Sequence, residues 1–505
     1  MVHRMWKTVC VLIMLTVMLS PAYGESVSGS VYGTWDSSVQ DTVKVVGNLS
    51  VEDGKTLIIK PGVVVSFLDN YRMVVKGHLE VQGEQGAPVI FEPAFHGEYW
   101  QGIQIDSSSS SLISMRWFTI RSAQYPINIT ASNVALNYGR IEDGLEAGIM
   151  AQNYSNVNIN GCFVHVMIDD TPSSLAPLYV SLSNVDFSKS IIDYDIDLPE
   201  PAPNANMPGI YYQYSSGRID SSHVEIESNN VATGIFASRE DGLMQIETSS
   251  IHMRAAEEAF AVRMTRMNQI LLDHLSIELE FLEQNPSYDL YGVYVEHLTN
   301  VEVYNTIVSN PNPANQVNAI PFVVDYDSRE FSSIDVGYSV MHNVVDPQDV
   351  SVHIDEETVL RTDPLWTDDE YHLQEDSPCI DAGRPGAFDP DGTLPDIGKH
   401  YYNQLNVVDD DIAGTKLPAT FEIGQVWPNP FNNAVQVSVR LPHPTPLSVS
   451  VYDITGRQVE SLYRGVHASG ELRLTWTPES HAAGTYFLRT VTPTHSESRK
   501  LVFLK

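Results

Sequence analysis

The chain has 505 residues, of which 43% are hydrophobic and 18% are charged, and its formal net charge at pH 7 is −35. This apolar fraction can build a core, so the composition excludes a wholly disordered chain. The acidity excludes general affinity for nucleic acid or anionic membranes, because their negative charges would be repelled. The length predicts two to four domains, and plentiful Gly, Pro and Tyr favour strands and turns.

The first 24 residues have the parts of a secretory signal peptide. Arg4 and Lys7 give a positive start, and an apolar stretch covers residues 9–19. Small residues then precede a predicted cleavage after Gly24. The apolar stretch is too short to span a bilayer, which disfavours the alternative of an N-terminal anchor. No later apolar run reaches the roughly 18 residues of a membrane span, so we expect no transmembrane segment in the mature chain.

Short apolar runs separated by turn residues recur along the chain. They begin in residues 56–92, and from residue 148 a unit of three runs repeats every 25 to 32 residues, roughly. One such unit is Gly209-Ile210-Tyr211, then Gly217-Arg218-Ile219, then 223–226. Three short strands per repeat predict a parallel β-helix, in which each strand pairs with its equivalent one coil away. A propeller or a leucine-rich repeat fits the spacing less well.

Three segments depart from a simple repeat. Residues 255–284 contain leucines at helical spacing, but alternation in residues 260–264 and the repeat register predict strands. A short helical turn at 255–259 is the alternative. Residues 193–208 are acidic and proline-rich and predict an exposed loop, and residues 283–289 predict a second, polar loop.

The cysteines exclude a disulfide scaffold despite the export signal. Cys10 leaves with the signal peptide, so Cys162 and Cys379 remain. In the proposed solenoid they lie several coils apart, beyond the reach of a disulfide, so two unpaired thiols are predicted.

Residues 28–403 resemble bacterial right-handed β-helix proteins. The likeness is carried by Val51-Glu52-Asp53-Gly54, Lys60-Pro61-Gly62-Val63 and 99–103 near the start, and by 377–383 near the end. The resemblance implies an all-β domain, a right-handed parallel β-helix. It implies no activity, because this fold serves both enzymes and binding proteins.

Residues 418–505 carry three motifs. They are Trp427-Pro428-Asn429-Pro430-Phe431-Asn432 at the start, 451–459 in the middle and 500–505 at the end. These resemble the opening motif, the middle strand and turn, and the closing strand of the C-terminal sorting domain of the type IX secretion system. The resemblance implies a small β-sandwich, the type IX secretion machinery as partner, and a secreted or cell-surface location reached through the periplasm and outer membrane. An ordinary β-sandwich binding module is the alternative. Residues 404–417 predict an acidic linker.

Two groups of side chains are candidates for metal binding. Asp389, Asp391 and Asp396 place three carboxylates close together around Gly392, a density that suits calcium, the one cofactor suggested. The EF-hand pattern is absent and Asp and Gly are common turn residues, so a plain turn is the alternative. Four histidines recur near third strands, but their spacing matches no compact metal motif, and core or solvent positions are expected. They are His165, His223, His252 and His274.

Polysaccharide lyases and glycoside hydrolases share the fold that the resemblance implies. A hydrolase needs two carboxylates beside the glycosidic bond. By residue type alone, the candidates are Asp169, Asp170, Asp193, Asp195 and Asp197. In families of this kind a lyase needs a basic residue beside calcium, and Arg218, Arg254 and Arg263 lie in the repeats without a recognisable motif. The Asn-Thr-Asp and Gly-His-Gly motifs of polygalacturonases are absent.

Aromatic residues offer a site for binding instead. Tyr212 and Tyr214 share one face of a strand, with Tyr211 on the other, and such rings could stack on sugars. Because no catalytic constellation stands out, the sequence favours a non-enzymatic surface or secreted protein that binds a glycan or another surface. Carboxylates clustered with Arg or Lys on one face would favour the enzyme, and a continuous aromatic or polar stripe would favour binding.

Overall fold

A computed structural model describes most of the chain. The described residues are 26–39, 41–106, 112–169, 176–199, 207–238, 243–267, 269–282, 288–312, 319–368, 370–404, 422–432, 434–441, 445–454, 457–467, 470–478, 481–492 and 496–504. The predicted signal peptide and, apart from its first residue, the predicted linker lie outside them. The chain divides into two compact units, the first ending at Tyr402 and the second beginning at Asn403. Among the described residues, no helix has the length and apolar character needed to cross a bilayer.

The first unit consists of short strands. Its first eighteen are β1 (Ser26–Ser30), β2 (Gly33–Trp35), β3 (Thr42–Val51), β4 (Thr56–Ile59), β5 (Val64–Phe67), β6 (Arg72–Val75), β7 (His78–Gln82), β8 (Val89–Pro93), β9 (Gly102–Asp106), β10 (Ile113–Arg116), β11 (Phe118–Arg121), β12 (Ile127–Thr130), β13 (Asn133–Asn137), β14 (Arg140–Gly144), β15 (Ile149–Gln152), β16 (Asn156–Asn160), β17 (Phe163–Ile168) and β18 (Leu178–Ser181). The others are β19 (Asn184–Ser188), β20 (Ile191–Ile196), β21 (Met207–Gln213), β22 (Ser216–Asp220), β23 (His223–Ser228), β24 (Ala232–Ser238), β25 (Leu243–Glu247), β26 (Ser250–Ala255), β27 (Ala259–Thr265), β28 (Gln269–Asp273), β29 (Ser276–Phe281), β30 (Leu290–Glu296), β31 (Asn300–Tyr304), β32 (Ile307–Ser309), β33 (Ala319–Val324), β34 (Ser333–Gly337), β35 (Val340–His342) and β36 (Val352–Ile354). A 3₁₀ turn occupies Tyr326–Ser328.

These strands form three long parallel sheets. Between the first coils and the last, each strand pairs in parallel with the strand three positions later, and β34 pairs with β36 at the end. The first sheet runs from β3 through β6, β9 and every third strand to β33. The second runs from β2 and β4 through β7 to β36, and the third from β1, β3 and β5 through β8 to β35. This is the parallel β-helix that the three-strand repeat predicts.

Alternation of side chains along each strand builds the interior. In β16, Val157 and Ile159 are buried while Asn156 and Asn158 are exposed. Val157 pairs with Val185 in the next coil, so apolar residues stack along the inside of the second sheet. Because successive strand residues point to opposite faces, the period-two pattern of the sequence fixes which residues line the core.

The corner before the third sheet is held by a stack of buried hydroxyl side chains. The Ser190 N–H donates to Ser222 Oγ at 3.3 Å, and the Ser222 N–H donates to Ser249 Oγ at 3.1 Å. Cys162 belongs to the same stack, because its N–H donates to Ser190 Oγ at 2.9 Å and its Sγ accepts the Gly139 N–H at 3.3 Å. These bonds satisfy backbone donors where the sheets end and pairing is interrupted.

Residues 255–284 form strands, as predicted, and not the alternative helical turn. Most of that segment belongs to β26, β27, β28 and β29. The predicted loop at 193–208 is too long, because β20 continues to Ile196 and β21 starts at Met207. Most of the predicted loop at 283–289 lies outside the described residues. Cys162 and Cys379 are both buried free thiols, as predicted.

A segment after the last coil turns back over the third sheet, and we call residues 370–402 the strap. Its Gly398 N–H donates to Asn305 O at 2.7 Å, and its Lys399 N–H donates to Ser276 Oγ at 3.1 Å. Gly398 has φ of +111°, and a Cβ there would lie 2.8 Å from Ile307 Cδ1. Glycine is therefore required where the strap meets the sheet most closely.

The second unit is a two-layer antiparallel β-sandwich. One sheet contains β37 (Glu422–Trp427), β38 (Val435–Leu441) and β41 (Gly470–Trp476). The other contains β39 (Thr445–Asp453), β40 (Gln458–His467), β42 (Gly484–Val491) and β43 (Ser496–Phe503). Buried residues of both sheets, such as Val437, Trp476 and Leu488, belong to one hydrophobic cluster. The unit therefore has the sandwich core that the resemblance implies.

Candidate functional site

The outer face of the third sheet carries two rows of mostly charged side chains. Strands β17, β20, β23, β26 and β29 pair residue by residue, so outward side chains one coil apart stand side by side. We call the two rows the charged ladder. The first row is His165, Asp193, Glu225, His252 and Glu278. The second row is Met167, Asp195, Glu227, Arg254 and Glu280.

One end of the charged ladder is a histidine among carboxylates. His165 Nε2 lies 3.4 Å from Asp195 Oδ2, and its Nδ1 lies 3.5 Å from Asp143 Oδ1 in the preceding coil. One side-chain atom each of His165, Asp193 and Asp195 lies within 4.8 Å of the other two. Burial raises the pKa of Asp193, an effect that His165 opposes and the charge of Asp195 reinforces. This cluster contains the donor types that hold a divalent cation.

The middle of the charged ladder consists of cations flanked by carboxylates. Arg254 Nη1 lies 2.5 Å from Glu227 Oε2, and its Nε lies 3.1 Å from Glu280 Oε2. His252 Nδ1 lies 3.7 Å from Glu225 Oε1, and burial lowers the pKa of this imidazole although the neighbouring glutamates favour its protonation. Both sides of the Arg254 guanidinium are therefore occupied by carboxylates of neighbouring coils.

A cavity of about 430 Å³ lies between the strap and the third sheet. This volume is within the range of small-molecule sites. The residues that line it are Lys189, Ser190, Ile191, Ser221, Ser222, His223, Thr248, Glu370, Lys399 and His400. The lining thus combines two ammonium groups, two imidazoles and four hydroxyls with one carboxylate.

The cavity is unusually basic for so acidic a chain. Neither Lys189 nor Lys399 forms an ion pair with a carboxylate of the described residues. Lys399 Nζ donates to Ser250 Oγ at 2.9 Å, and burial lowers the pKa of its ammonium. Burial also lowers the pKa of His400 to about 4, so this imidazole is neutral at pH 7. The two ammonium groups outnumber the one carboxylate of the lining, Glu370, which also attracts Lys399.

The outer face of the first sheet carries stacked aromatic rings that include Tyr211 and Phe236, and we call them the aromatic stripe. The predicted pair, Tyr212 and Tyr214, does not form it. Tyr212 is buried inside the coil, where its hydroxyl donates to Val185 O at 2.8 Å, so the prediction that it stacks on sugars is wrong. Tyr211 faces outward and stacks on Phe236, with ring centroids 4.9 Å apart and an interplanar angle of 21°. Tyr214 lies beyond the strand end at φ of +49° and is exposed. Stacked rings cover each other's faces, which leaves mainly edges for a ligand.

The three predicted calcium ligands lie in one turn of the strap. Asp396 is buried, and its Oδ1 accepts the Asp381 N–H at 2.7 Å. Asp389 Oδ2 accepts the Asp396 N–H at 3.0 Å, and Asp391 Oδ1 accepts the N–H two residues later at 3.1 Å. Burial first, and then the charge of Asp396, raise the pKa of Asp389 to about 6. Because the carboxylates already accept backbone hydrogen bonds, this geometry favours the plain turn, and calcium binding here remains a prediction.

The charged ladder brings together only some of the residues considered for catalysis. Asp193, Asp195 and Arg254 share it, whereas Asp170 lies outside the described residues. The others lie elsewhere: Asp169 after β17, Asp197 after β20, Arg218 on the second sheet and Arg263 on the first. His165 and His252 also belong to the ladder, and His223 lines the cavity. His274 lies at a corner, 3.1 Å from Asp273.

The second unit joins its opening and closing motifs through one amide side chain. Asn429 Nδ2 donates to Lys500 O at 2.7 Å, and Asn429 Oδ1 accepts the Val502 N–H at 2.8 Å. Phe431, two residues later, is buried and lies 5.3 Å from the Phe503 ring. The opening motif therefore pins the last strand to the sandwich.

Comparison with protein families agrees with this geometry. Residues 425–504 match the family described as the secretion system C-terminal sorting domain. The C-terminal unit is a type IX sorting domain. The protein is therefore exported by the type IX secretion system, to the cell surface or beyond. Comparison with curated proteins and with solved structures finds no match.

Sequence reasoning missed the charged ladder and the cavity for different reasons. The charged ladder could be predicted from the sequence, because aligning the third strands of successive repeats places His165, Asp193 and Glu225 in one row. The cavity was not, because it depends on the irregular strap returning to bring Lys399 near Lys189. No periodicity in the sequence reports the path of such a segment.

Proposed function

We propose that the exported β-helix binds an acidic saccharide, without cleaving it, in the cavity beneath the strap. The observation that carries this proposal is the basic lining of a 430 Å³ cavity in a chain of net charge −35. A sugar carboxylate would pair with Lys189 and Lys399, and the hydroxyls of Ser221 and Thr248 match those of a sugar ring. The aromatic stripe is weaker evidence for sugar binding than the cavity is, because its stacked rings cover each other's faces.

Direct binding tests this proposal. The full chain is titrated with neutral and acidic oligosaccharides by calorimetry, with calcium and with chelator. Acidic saccharides should bind, and Lys399→Gln and Lys189→Gln should each weaken that binding about tenfold or more, since a charge-assisted hydrogen bond is lost. Lys76→Gln changes an exposed lysine outside the cavity and should have no effect. Equal binding of neutral saccharides, or unchanged binding by both cavity variants, would contradict the proposal.

A polysaccharide hydrolase or lyase is the second candidate, because Asp193, Asp195 and Arg254 cluster on one face. A hydrolase would use two carboxylates of the charged ladder around the glycosidic bond. A lyase has less support, since Arg254 is held between Glu227 and Glu280. The same saccharide panel is examined for shortened chains and for unsaturated ends. Shortening would replace the binding proposal with catalysis, and unsaturated ends would identify a lyase.

A further inference from the structure

The His165 end of the charged ladder has the dimensions of a metal site. His165 Nε2 and Asp195 Oδ2 are 3.4 Å apart, and Asp193 contributes a third atom within 4.8 Å of both partners. Two ligands that are each about 2.1 Å from a tetrahedral zinc ion are separated by about 3.4 Å. One imidazole with two carboxylates is a nitrogen–oxygen donor set, which suits zinc and its neighbours in the first transition row. Calcium prefers oxygen ligands alone.

A fourth residue supports this interpretation independently of the three donors. Asp143 Oδ1 lies 3.5 Å from His165 Nδ1, on the side of the ring opposite to Nε2. Histidines that bind a metal through one nitrogen usually donate the other N–H to a carboxylate, which fixes the ring orientation. Asp143 belongs to β14 of the preceding coil, so three successive coils would contribute to one centre.

The His165 end of the charged ladder also has no counterpart of Arg254, the guanidinium in the middle of the ladder. Arg254 neutralises Glu227 and Glu280 directly. Among the described residues, no Lys or Arg pairs with Asp193 or Asp195. The 3.4 Å between His165 Nε2 and Asp195 Oδ2 exceeds the usual 2.7–3.2 Å of a good hydrogen bond, so the imidazole alone is a weak partner for this carboxylate.

We propose that His165, Asp193 and Asp195 bind one divalent transition-metal ion of the zinc class, with Asp143 as the residue that orients His165. Three protein ligands leave at least one coordination position open to water or to a further ligand. This site is separate from the lining of the cavity beneath the strap, so the two proposals stand or fall independently.

Zinc binding to the full chain, prepared without a histidine tag, tests the proposal. Zn²⁺ alone is titrated against a chromophoric chelator at about 0.3 M salt, where screening suppresses loose attraction to the acidic surface. We expect one tight equivalent. His165→Gln and Asp195→Asn should each weaken it at least a hundredfold, and Asp143→Asn should weaken it about tenfold to a hundredfold.

A matched control separates this site from adventitious binding. His353 forms an exposed pair with Asp335, with Nδ1 and Oδ1 2.9 Å apart, and His353→Gln should leave the tight equivalent unchanged. Replacing Zn²⁺ with Co²⁺ should give a visible absorption band in the native protein and in His353→Gln, but not in His165→Gln. Urea midpoints measured without metal verify that each variant folds. Absence of a tight equivalent, or an equal loss in His165→Gln and His353→Gln, would overturn the proposal.

Discussion

At the scale of single residues, two interior tyrosines show how hydrogen bonding decides the cost of a buried polar group. Tyr194 lies in β20 of the third sheet and Tyr212 in β21 of the first sheet, and both are buried. The Tyr212 hydroxyl donates to Val185 O, whereas the Tyr194 hydroxyl has no partner among the described residues. Burial raises the pKa of both phenols, so both stay protonated donors.

We expect opposite effects from the same substitution at these two positions. Tyr212→Phe loses a buried hydrogen bond and should lower the free energy of unfolding by about 1 kcal/mol. Tyr194→Phe removes an unsatisfied hydroxyl and should be neutral or stabilising by up to about 1 kcal/mol. Equilibrium urea unfolding of the full chain, followed on the β-helix transition, measures both. Equal destabilisation by the two substitutions would show that the hydrogen bond of the hydroxyl does not determine their effect on the free energy of unfolding.

At the residue scale, the sequence predicts the alternation of side chains but leaves their orientation open. The period of two correctly separates Tyr211 from Tyr212, but it cannot say which of the two points inward. That choice depends on register with neighbouring coils, where Tyr212 pairs with Val180 and Ala237, both buried. A one-residue error in register reverses every side chain of a strand.

At the scale of elements, His400 of the strap should weaken the folded state in acid. Burial lowers the pKa of His400 to about 4 from an ordinary 6.5, and its Nε2 has no partner among the described residues. Between these two values the unfolded chain takes up a proton that the folded chain does not. The contribution of His400 to stability is therefore lost as pH falls from about 6.5 towards 4.

His400→Gln should remove this pH dependence. The displacement of the pKa corresponds to about 3 kcal/mol, which partial exposure of the ring reduces to about 1–2 kcal/mol. The measurement is the difference in unfolding free energy between the native protein and the variant at pH 7 and pH 4.5. The difference should shift in favour of the variant at the lower pH. A difference that is the same at both pH values for His400→Gln would refute the argument.

Elements were predicted from the sequence where they repeat and missed where they do not. Strands β26 to β29 follow the repeat register even though leucines at helical spacing suggest otherwise, because pairing with neighbouring coils outweighs local propensity. The strap has no repeat, so its return across Asn305 and Ser276 was not predictable. The stack of buried hydroxyl side chains at the corner before the third sheet explains why Cys162 is buried. Its thiol takes the place of a serine hydroxyl in that stack.

At the scale of the whole molecule, the chain combines an export domain with a β-helix in an acidic protein. Its outer surface offers three distinct features: the aromatic stripe of the first sheet, the charged ladder of the third, and the basic cavity beneath the strap. Parallel pairing places residues about 4.8 Å apart along the axis although they are separated by a whole coil in sequence. Rows of chemically similar side chains are therefore easily built on such a fold.

Export should depend on the contact between the two ends of the sorting domain. Asn429 holds the backbone of the last strand at Lys500 and Val502, and Phe431 fills the core beneath it. Asn429→Ala removes two hydrogen bonds at the chain terminus, so it should destabilise the sandwich by about 1–3 kcal/mol. If the secretion machinery recognises the folded sandwich, protein should accumulate in the periplasm at the expense of the extracellular fraction.

The distribution of full-length protein between periplasm, cell surface and medium measures this dependence. Gln436→Ala changes an exposed amide on β38 of the same domain and should leave export at the native level. Deletion of residues 418–505 is the reference for complete loss of export. Export of Asn429→Ala at the native level, with deletion still blocking it, would mean that a linear signal is read rather than the pinned sandwich. Unchanged export after the deletion would mean that the chain leaves by another route.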